Sequence, residues 1–190
     1  MSVPATRTTR MGDPLAWVGA LGVCALGAAL LAWFARHCGV ASPLFAFEFH
    51  FVGMACAVYV DKLLAPRLDG RRFEVSPGEV RFYRSLGALA FMRTLRAVGW
   101  EAALRVGNRF ELKRATLRDY ERATRQGENA HALLFVLTVV VAAATLAGRT
   151  AAGPWLLGLG VVFHVYPVMM QRSQRARLQP LLARVDARQG

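Results

Sequence analysis

The residues HALLFVLTVVVAAATLAGRTAAGPWLLGLGVVFHVYPVMM, 131–170, decide the fold class of this chain. They contain two apolar blocks, 131–148 and 153–170, and only the residues 149–152 separate these blocks. Such a short connection is expected between two helices that run antiparallel. Blocks this apolar are typical of helices that cross a lipid bilayer. The stretch therefore predicts a transmembrane helical hairpin.

Two further apolar blocks precede the hairpin. The residues Pro14 to Phe34 carry no charge over 21 positions. At ~1.5 Å of rise per residue, a helix of this length reaches roughly 30 Å and crosses a bilayer core. Arg7 and Arg10 precede it, as in a signal peptide, but the block is longer than a signal's apolar region and no small-residue cleavage site follows. We therefore expect a retained span, and a further span at 43–64.

These blocks predict an all-α polytopic membrane protein with about four transmembrane helices plus cytoplasmic or interfacial helices. We expect a single membrane domain over residues 1–190. The four predicted spans lie at about 14–34, 43–64, 131–148 and 153–170. A cytoplasmic or interfacial section is predicted at 65–130, and a basic C-terminal tail at 171–190.

The charge of the chain agrees with this topology. The 24 Lys and Arg residues against 12 Asp and Glu give a net charge of +12, which by itself suggests nucleic acid or acidic lipid as a partner. Here 55% of the residues are hydrophobic and they lie in blocks, so we expect no nucleic-acid partner. All but two of the 24 basic residues fall on one side of four spans. The positive-inside rule places that side, with both termini, in the cytoplasm.

The polar section contains one amphipathic stretch. Between Phe82 and Val98, apolar residues recur near helical spacing, with Arg81, Arg84, Arg93 and Arg96 between them. This pattern is typical of a helix lying in the membrane interface, with its arginines reaching phosphates or water. A helix packed on the core of the protein itself would show the same pattern, and both interpretations stay open.

Several kinds of catalytic site are excluded by composition. The cysteines are isolated, which indicates neither a zinc site nor a disulfide framework; they are Cys24, Cys38 and Cys56. No glycine-rich nucleotide motif and no G-x-S-x-G nucleophile motif is present. With 4 histidines, the chain cannot supply the clusters of a di-iron desaturase. We therefore expect no metal and no bound cofactor.

The first candidate catalytic pair is Glu128 and His131, at the cytoplasmic end of the third block. Residues three apart share a helix face. A carboxylate beside a histidine fixes the orientation of the imidazole and raises its basicity, which suits a general base acting on a hydroxyl. A helix-terminal polar pair without catalytic function has the same spacing.

Further candidates lie in and after the fourth block. His164 is a functional candidate because a histidine inside an apolar span needs a partner, and Tyr166 follows it. The basic residues after the block suit a phosphate, a carboxylate or a lipid headgroup, or serve as ordinary topology anchors. The predicted substrate-binding residues are Tyr166, Gln171, Arg172, Arg175 and Arg177.

Two residues of the second block form a lower tier of candidates. Glu48 and His50 interrupt an otherwise apolar stretch. They are two apart, so on a helix they point to different faces. They would make separate polar contacts or mark an interrupted helix.

The residues from about 82 to 182 resemble the bacterial glycosyl-4,4'-diaponeurosporenoate acyltransferases, small membrane enzymes that add a fatty acyl chain to a sugar in staphyloxanthin-type carotenoid synthesis. The matching pieces, in the same order, are Thr124, Glu128 and His131 of TRQGENAH, the pair Tyr166-Pro167, and the run Gln171-Arg172, Arg175 and Arg177-Leu178. The family pattern has Arg at the position of Gln126, and Asn at the positions of His164 and Gln174.

The resemblance implies acyl transfer in a bacterial inner membrane, with a membrane lipid environment and a lipid-soluble acceptor, which includes a glycosylated carotenoid. The implied donor is an acyl thioester, either acyl-CoA or acyl carrier protein, used as a co-substrate. In this hypothesis Glu128 orients His131, which takes the proton of the acceptor hydroxyl. His164 and Tyr166 polarise the thioester carbonyl or hold the acceptor, and the C-terminal arginines bind the donor phosphates or the acceptor headgroup.

Two other functions remain open from the residues alone. One is a non-enzymatic four-span assembly or lipid-binding protein, whose arginines only anchor its helices. The other is a metal-dependent lipid enzyme that uses the polar residues of the spans as ligands, namely Glu48, His50, Glu128, His131 and His164.

Overall fold

The computed structural model describes residues 14–64, 70–99, 114–148 and 150–187. Within those ranges the regular elements are helices and none is a strand, so the predicted all-α class is confirmed. The α-helices are α1 (Pro14–Cys38), α2 (Pro43–Leu64), α3 (Pro77–Ser85), α4 (Ala88–Ala97), α5 (Arg114–Ala147), α6 (Ala152–Gly160) and α7 (Tyr166–Asp186). A 3₁₀ turn covers Arg71–Phe73, and a π-helical turn at Val161–Val165 joins α6 to α7.

Four helical segments of the described chain are long and apolar enough to cross a membrane, which confirms the predicted number. They are Pro14–Cys38, Pro43–Val60, Leu117–Ala147 and Ala152–Val185. Large apolar side chains along them are exposed, for example Leu15 at 79% and Leu26 at 72%. In water such a surface would drive association, whereas against lipid chains it is the expected surface of a span.

The described residues divide into two compact units, one from Met1–Arg67 with Val136–Gly160 and the other from Leu68–Phe135 with Val161–Gly190. The single membrane domain expected from the sequence stays a prediction. Each unit has its own interior.

The first unit is held together by small residues. α1 packs on α2, and α2 packs on α6. The buried centre consists of Ala46, Ala142, Ala152 and Leu156. A Cβ atom on Gly27 of α1 would lie 2.7 Å from Cγ1 of Val52. Small side chains let helices approach closely where no water is present to drive them together.

The second unit is built around α7, on which α3 and α4 pack. α3 starts where its sequence predicts a helix start. The Ser76 hydroxyl accepts a hydrogen bond from the backbone N–H of Glu79, and Pro77 occupies the first helical position. α3 and α4 are separate helices because Gly87 between them has φ +84°, a left-handed conformation that interrupts a right-handed helix.

The amphipathic stretch has both a buried and an exposed apolar part, and its position in a membrane interface stays a prediction. One face of α4 is internal, since Ala88 and Met92 are buried. Large apolar side chains of the same stretch are exposed, including Phe82 of α3 at 58% and Val98 after α4 at 68%. The stretch therefore packs on the core of its own unit and still presents apolar side chains outward.

Candidate active site

Glu128 lies on α5 and binds two arginines of α7. Nη1 of Arg172 donates to Oε1 of Glu128 at 2.6 Å, and Nη2 of Arg175 donates to Oε2. Each carboxylate oxygen therefore has its own guanidinium. Charge-assisted hydrogen bonds of this kind are the strongest that side chains form, so they fix α5 against α7. We call Glu128, Arg172 and Arg175 the ion cluster.

Arg175 is fully buried, and all three of its guanidinium nitrogens have partners. Nε donates to the Phe73 carbonyl at 2.7 Å, and Nη1 lies 3.5 Å from Oγ1 of Thr124. The Thr124 hydroxyl itself donates to the Glu121 carbonyl at 2.6 Å. A buried charge is tolerated only when it is paired and hydrogen-bonded in this way. Thr124, which the family resemblance adds to the lower tier of candidates, is thus a partner of Arg175.

Arg172 connects α7 to the chain before α3. Nη1 and Nη2 donate to the carbonyls of Arg72, at 2.9 Å, and Glu74, at 3.2 Å. Nε donates to the carboxylate of Glu79 on α3. This hydrogen bond, opposed by partial burial, lowers the pKa of Glu79 from its ordinary value. The donors of Arg172 and Arg175 are therefore used within the protein, and their predicted role in substrate binding stays a prediction.

His131 and His164 form a direct pair. Nδ1 of His131 lies 3.2 Å from Nδ1 of His164. His164 is buried, with 1% of its surface exposed, whereas His131 is half-buried. The sequence places His131 on the same face as Glu128, as predicted. The partner of the imidazole is nevertheless another imidazole, because the Glu128 carboxylate oxygens bind the charged guanidiniums instead.

The π-helical turn and the proline after it shape the surroundings of this pair. His164 lies in the turn Val161–Val165. Pro167 has no backbone N–H, so the carbonyl of Phe163 four residues earlier lacks its ordinary helical donor. The His131 ring forms a hydrogen bond to the Phe163 backbone. Pro167, rather than the turn itself, thus leaves the Phe163 carbonyl to the His131 ring. Single π-helical turns of this kind are frequent at functional sites.

Tyr166 and Gln171 contact the protein close to this pair. The Tyr166 hydroxyl donates to the Leu86 carbonyl at 3.0 Å, and its ring stacks on Phe91 with centroids 4.8 Å apart. Gln171 lies against Gly127 of α5, where a Cβ atom would collide with the Gln171 amide. The Gln171 side-chain oxygen is buried and has no hydrogen-bond partner in the described part of the chain. Gln171 is therefore the predicted substrate-binding residue that keeps a buried acceptor unused.

Arg177 lies outside the ion cluster that contains Arg172 and Arg175. It is exposed and lines a groove of about 550 Å³ between α3, α4 and α7. Arg81 and Arg84 of α3 line the same groove. The structure therefore divides the predicted arginine set between the ion cluster and this groove.

The lower-tier residues of the second block lie in the first unit. His50 is buried, and its Nε2 lies 3.1 Å from the Leu156 carbonyl. This contact joins α2 to α6 and gives the histidine a polar partner inside an apolar span. Glu48 is half-buried on α2. Among residues 14–64, 70–99, 114–148 and 150–187, no group of three or more His, Cys, Asp or Glu side chains could hold a metal ion.

Some residues around the site were not predicted from the sequence. Glu79 and the Phe73 carbonyl bind the arginines across about a hundred residues of chain, at separations of 93 and 102. A capping pattern, Ser76-Pro77-Gly78-Glu79, places Glu79 in the first turn of a helix, but it carries no information about a distant partner. The sequence placed Arg81 and Arg84 on an amphipathic helix, either interfacial or packed on the core, and not at a binding groove.

Comparison with known proteins identifies the chemistry. The model of the CrtO family, glycosyl-4,4'-diaponeurosporenoate acyltransferase, matches residues 65–184. The chain belongs to this family and is an acyltransferase, which confirms the resemblance and the enzyme class predicted from the sequence. The match covers α3 to α7, including the ion cluster and the histidine pair, and begins after α2. No curated protein and no solved structure matches the chain.

Proposed function

We propose that this enzyme transfers a fatty acyl group from a thioester to a hydroxyl of a lipid-soluble acceptor, with His131 as the general base. The family assignment supports acyl transfer, and the four apolar helices support a membrane setting with a lipid-soluble acceptor. The observation that carries the proposal is the pair formed by His131 and His164, 3.2 Å apart at their Nδ1 atoms. The non-enzymatic interpretation does not agree with the family assignment.

The hydrogen bonds around His131 favour one tautomer. Two neutral imidazoles that meet at Nδ1 need one donor and one acceptor. The Phe163 carbonyl, which lacks a helical donor because of Pro167, accepts from His131. In our proposal Nδ1 of His131 carries the ring's one proton and shares it between the Nδ1 lone pair of His164 and the Phe163 carbonyl, so Nε2 keeps an unprotonated lone pair. A neutral imidazole with a fixed tautomer and a free Nε2 is suited to accept a proton from a hydroxyl.

The proposed reaction is a single acyl transfer with balanced proton movement. Nε2 of His131 accepts the acceptor's hydroxyl proton while the hydroxyl oxygen attacks the thioester carbonyl. The tetrahedral intermediate then collapses, the C–S bond breaks, and the imidazolium returns the proton to the leaving thiolate. The products are an ester and a free thiol, and no metal or bound cofactor takes part. His164 acts as a positioning residue through its Nδ1 lone pair.

Glu128 takes a different role from the one expected from spacing. Its carboxylate binds Arg172 and Arg175, one helical turn before His131 on α5. In our proposal these bonds fix the register of α5 on α7, which brings His131 to His164. Glu128 is then a positioning residue that acts through helix packing.

Substitutions at the histidine pair test this assignment. General base catalysis contributes about 10²–10⁴-fold, so we expect His131→Ala to lower kcat by that factor. His164→Ala removes the acceptor for the Nδ1 proton and lowers kcat, whereas His164→Asn offers an amide oxygen near the same point and restores much of the rate. The measurement is acyl transfer in reconstituted membranes, with the folded fraction of each variant checked by size-exclusion chromatography. Full activity of His131→Ala would refute the proposal.

Pro167 gives an independent test that leaves both histidines in place. Pro167→Ala supplies the missing N–H, which competes with His131 for the Phe163 carbonyl. We expect a lower kcat with a thermal midpoint equal to or above that of the parent protein, because alanine is a better helix residue than proline. An unchanged kcat would show that the freed carbonyl does not orient the base.

The proposal also names the acyl acceptor and the orientation of the protein in the membrane. The family name specifies a glycosylated carotenoid carboxylate, so the proposed acceptor is a sugar hydroxyl on a carotenoid-like lipid. The concentration of Lys and Arg on one side of the spans supports a bacterial inner-membrane protein with both termini in the cytoplasm. Mass spectrometry of lipids and pigments from a deletion strain should show the loss of one acylated species and the accumulation of its hydroxyl precursor.

A further inference from the structure

The groove between α3, α4 and α7 combines charge with an apolar lining. It has a volume of about 550 Å³. Apolar side chains line it, together with Ser173 and Gln174; they are Val75, Pro77, Val80, Ala88, Leu89, Met92 and Ala176. Its three charged residues are all arginines, namely Arg81, Arg84 and Arg177. A ligand that fits this lining has an anionic end and a largely aliphatic body.

The three guanidiniums are available for a ligand. They form no hydrogen bond or ion pair with the part of the chain that the structure describes, and all three are exposed. Arg81 and Arg84 are three apart on α3 and so lie on one face of the helix. Arg177 approaches the groove from α7. Like charges gathered around one concavity repel each other in the absence of an anion and bind phosphate strongly when one is present.

The distance from the groove to the histidine pair selects the kind of phosphate ligand. Arg177 follows His164 by thirteen residues on a continuous helical segment, which corresponds to roughly 20 Å along the axis. In a phospholipid only a few bonds separate the phosphate from the ester carbonyl. In a phosphopantetheine thioester, the whole pantetheine arm separates the phosphate from the thioester carbonyl. Only the longer molecule can place its phosphate in the groove and its carbonyl at His131.

We propose that this groove binds the phosphopantetheine of the thioester donor, with its phosphate held by Arg81, Arg84 and Arg177. The inference rests on the proposed acyl transfer and names the donor class for that reaction. Coenzyme A and acyl carrier protein share this group, so the groove recognises the chemistry that both have in common. The pantetheine arm then runs along α7 from the groove toward His164.

The test compares two probes that differ only in the phosphate. Full-length protein in nanodiscs of zwitterionic lipid is titrated with 4'-phosphopantetheine and with pantetheine. The groove variant is Arg81→Gln/Arg84→Gln/Arg177→Gln. The matched control, Arg93→Gln/Arg122→Gln/Arg184→Gln, removes the same charge from exposed arginines that do not line the groove.

We expect the parent protein and the control to bind 4'-phosphopantetheine more tightly than pantetheine. The groove variant should lose roughly a hundredfold or more in affinity for the phosphorylated probe, because three charge-assisted contacts disappear. In acyl transfer it should raise KM for the donor, while kcat at saturation falls less. Equal affinity of the two probes for the parent, or an equal loss in the control, would overturn the proposal.

Two further measurements complete the test. The first distinguishes a lipid headgroup from the thioester donor as the ligand of the groove, and the second distinguishes this proposal from the proposed acyl transfer. In nanodiscs that contain phosphatidylglycerol, binding of the probe should persist; its complete loss would assign the groove to a lipid headgroup and overturn the donor assignment. His131→Ala should bind 4'-phosphopantetheine as the parent does. If His131→Ala bound the probe and also kept full acyl transfer, the proposed function would fail while the groove assignment stood.

Discussion

Glu128→Gln is the substitution that best separates a structural role of the ion cluster from a catalytic one. It removes the negative charge between two guanidiniums and keeps the shape of the side chain. The side chain of Arg175 is 0% exposed, and that of Glu128 is 12% exposed. After the change, the partners of Arg175 are all neutral, namely the Phe73 carbonyl, the Thr124 hydroxyl and the new amide, whereas Arg172 keeps the carboxylate of Glu79. A buried positive charge is then left without a counter-charge.

The cost follows from that geometry. Removing one partner of a buried ion pair costs about 3–5 kcal/mol. Because Glu128 keeps some exposure, we expect the lower end, about 3 kcal/mol. For a protein of this size, that loss lowers the thermal midpoint by roughly 6–12 °C. The matched control is Glu121→Gln on the same helix. There Nη2 of Arg125 lies 2.7 Å from Oε1 of Glu121, and the two side chains are 23% and 17% exposed. We expect about 0.5 kcal/mol there.

The assay is thermal unfolding in detergent micelles, followed by circular dichroism and paired with acyl-transfer kinetics below the midpoint. The structural role predicts that Glu128→Gln lowers the midpoint far more than Glu121→Gln does. A drop no larger than that of the control would refute the reasoning. An unchanged midpoint combined with lost activity would instead favour the contact between Glu128 and His131 that spacing predicts.

Two further predictions concern packing and pH. Gly27→Ala should destabilise the protein by about 1–3 kcal/mol, because the new Cβ would lie 2.7 Å from Cγ1 of Val52. Gly19→Ala meets no atom within 4 Å and should stabilise the helix by about 0.5–1 kcal/mol. The thermal midpoints of the two variants should therefore move in opposite directions. Burial, and then the hydrogen bond to Glu79, raise the pKa of Tyr83 to about 12. Tyr83 therefore stabilises the fold fully below pH ~10, and this contribution is lost between there and about 12. Tyrosinate absorbance should show a late titration that Tyr83→Phe removes, and its persistence in that variant would contradict the assignment.

The spans were predictable because the apolar blocks are long and nearly free of charge. The helix boundaries were less predictable where polar and apolar segments join. α5 runs without interruption from Arg114 to Ala147. It contains no proline, and the one glycine at the junction of its polar and apolar parts, Gly127, is not enough to end a helix of this length. The break between α3 and α4 depends on one residue, Gly87, whose positive φ a periodicity count does not detect.

The composition of the site was predictable, but its pairing was not. Helical spacing places Glu128 and His131 on one face of α5, and the structure agrees. Which atoms they bind depends on α7, about 40 residues later, and a charged guanidinium competes better for a carboxylate than a neutral imidazole does. The π-helical turn at His164 was also not predictable, although Pro167 signalled that the Phe163 carbonyl would lose its donor.

The arginines of α7 show how helix geometry divides a run that looks uniform in sequence. At 100° per residue, Arg172 and Arg175 lie roughly 60° apart around the axis, whereas Arg175 and Arg177 lie roughly 160° apart. The first two therefore share the face that meets α5 and its carboxylate, and Arg177 must face elsewhere, toward α3 and α4. A buried ion pair holds its partners rigidly, so the arginine of α7 that reaches the groove is Arg177, which takes no part in the ion cluster. Positioning the histidines and binding the donor are consequently separate tasks on separate faces of one helix, and substitutions in one set should leave the other task measurable.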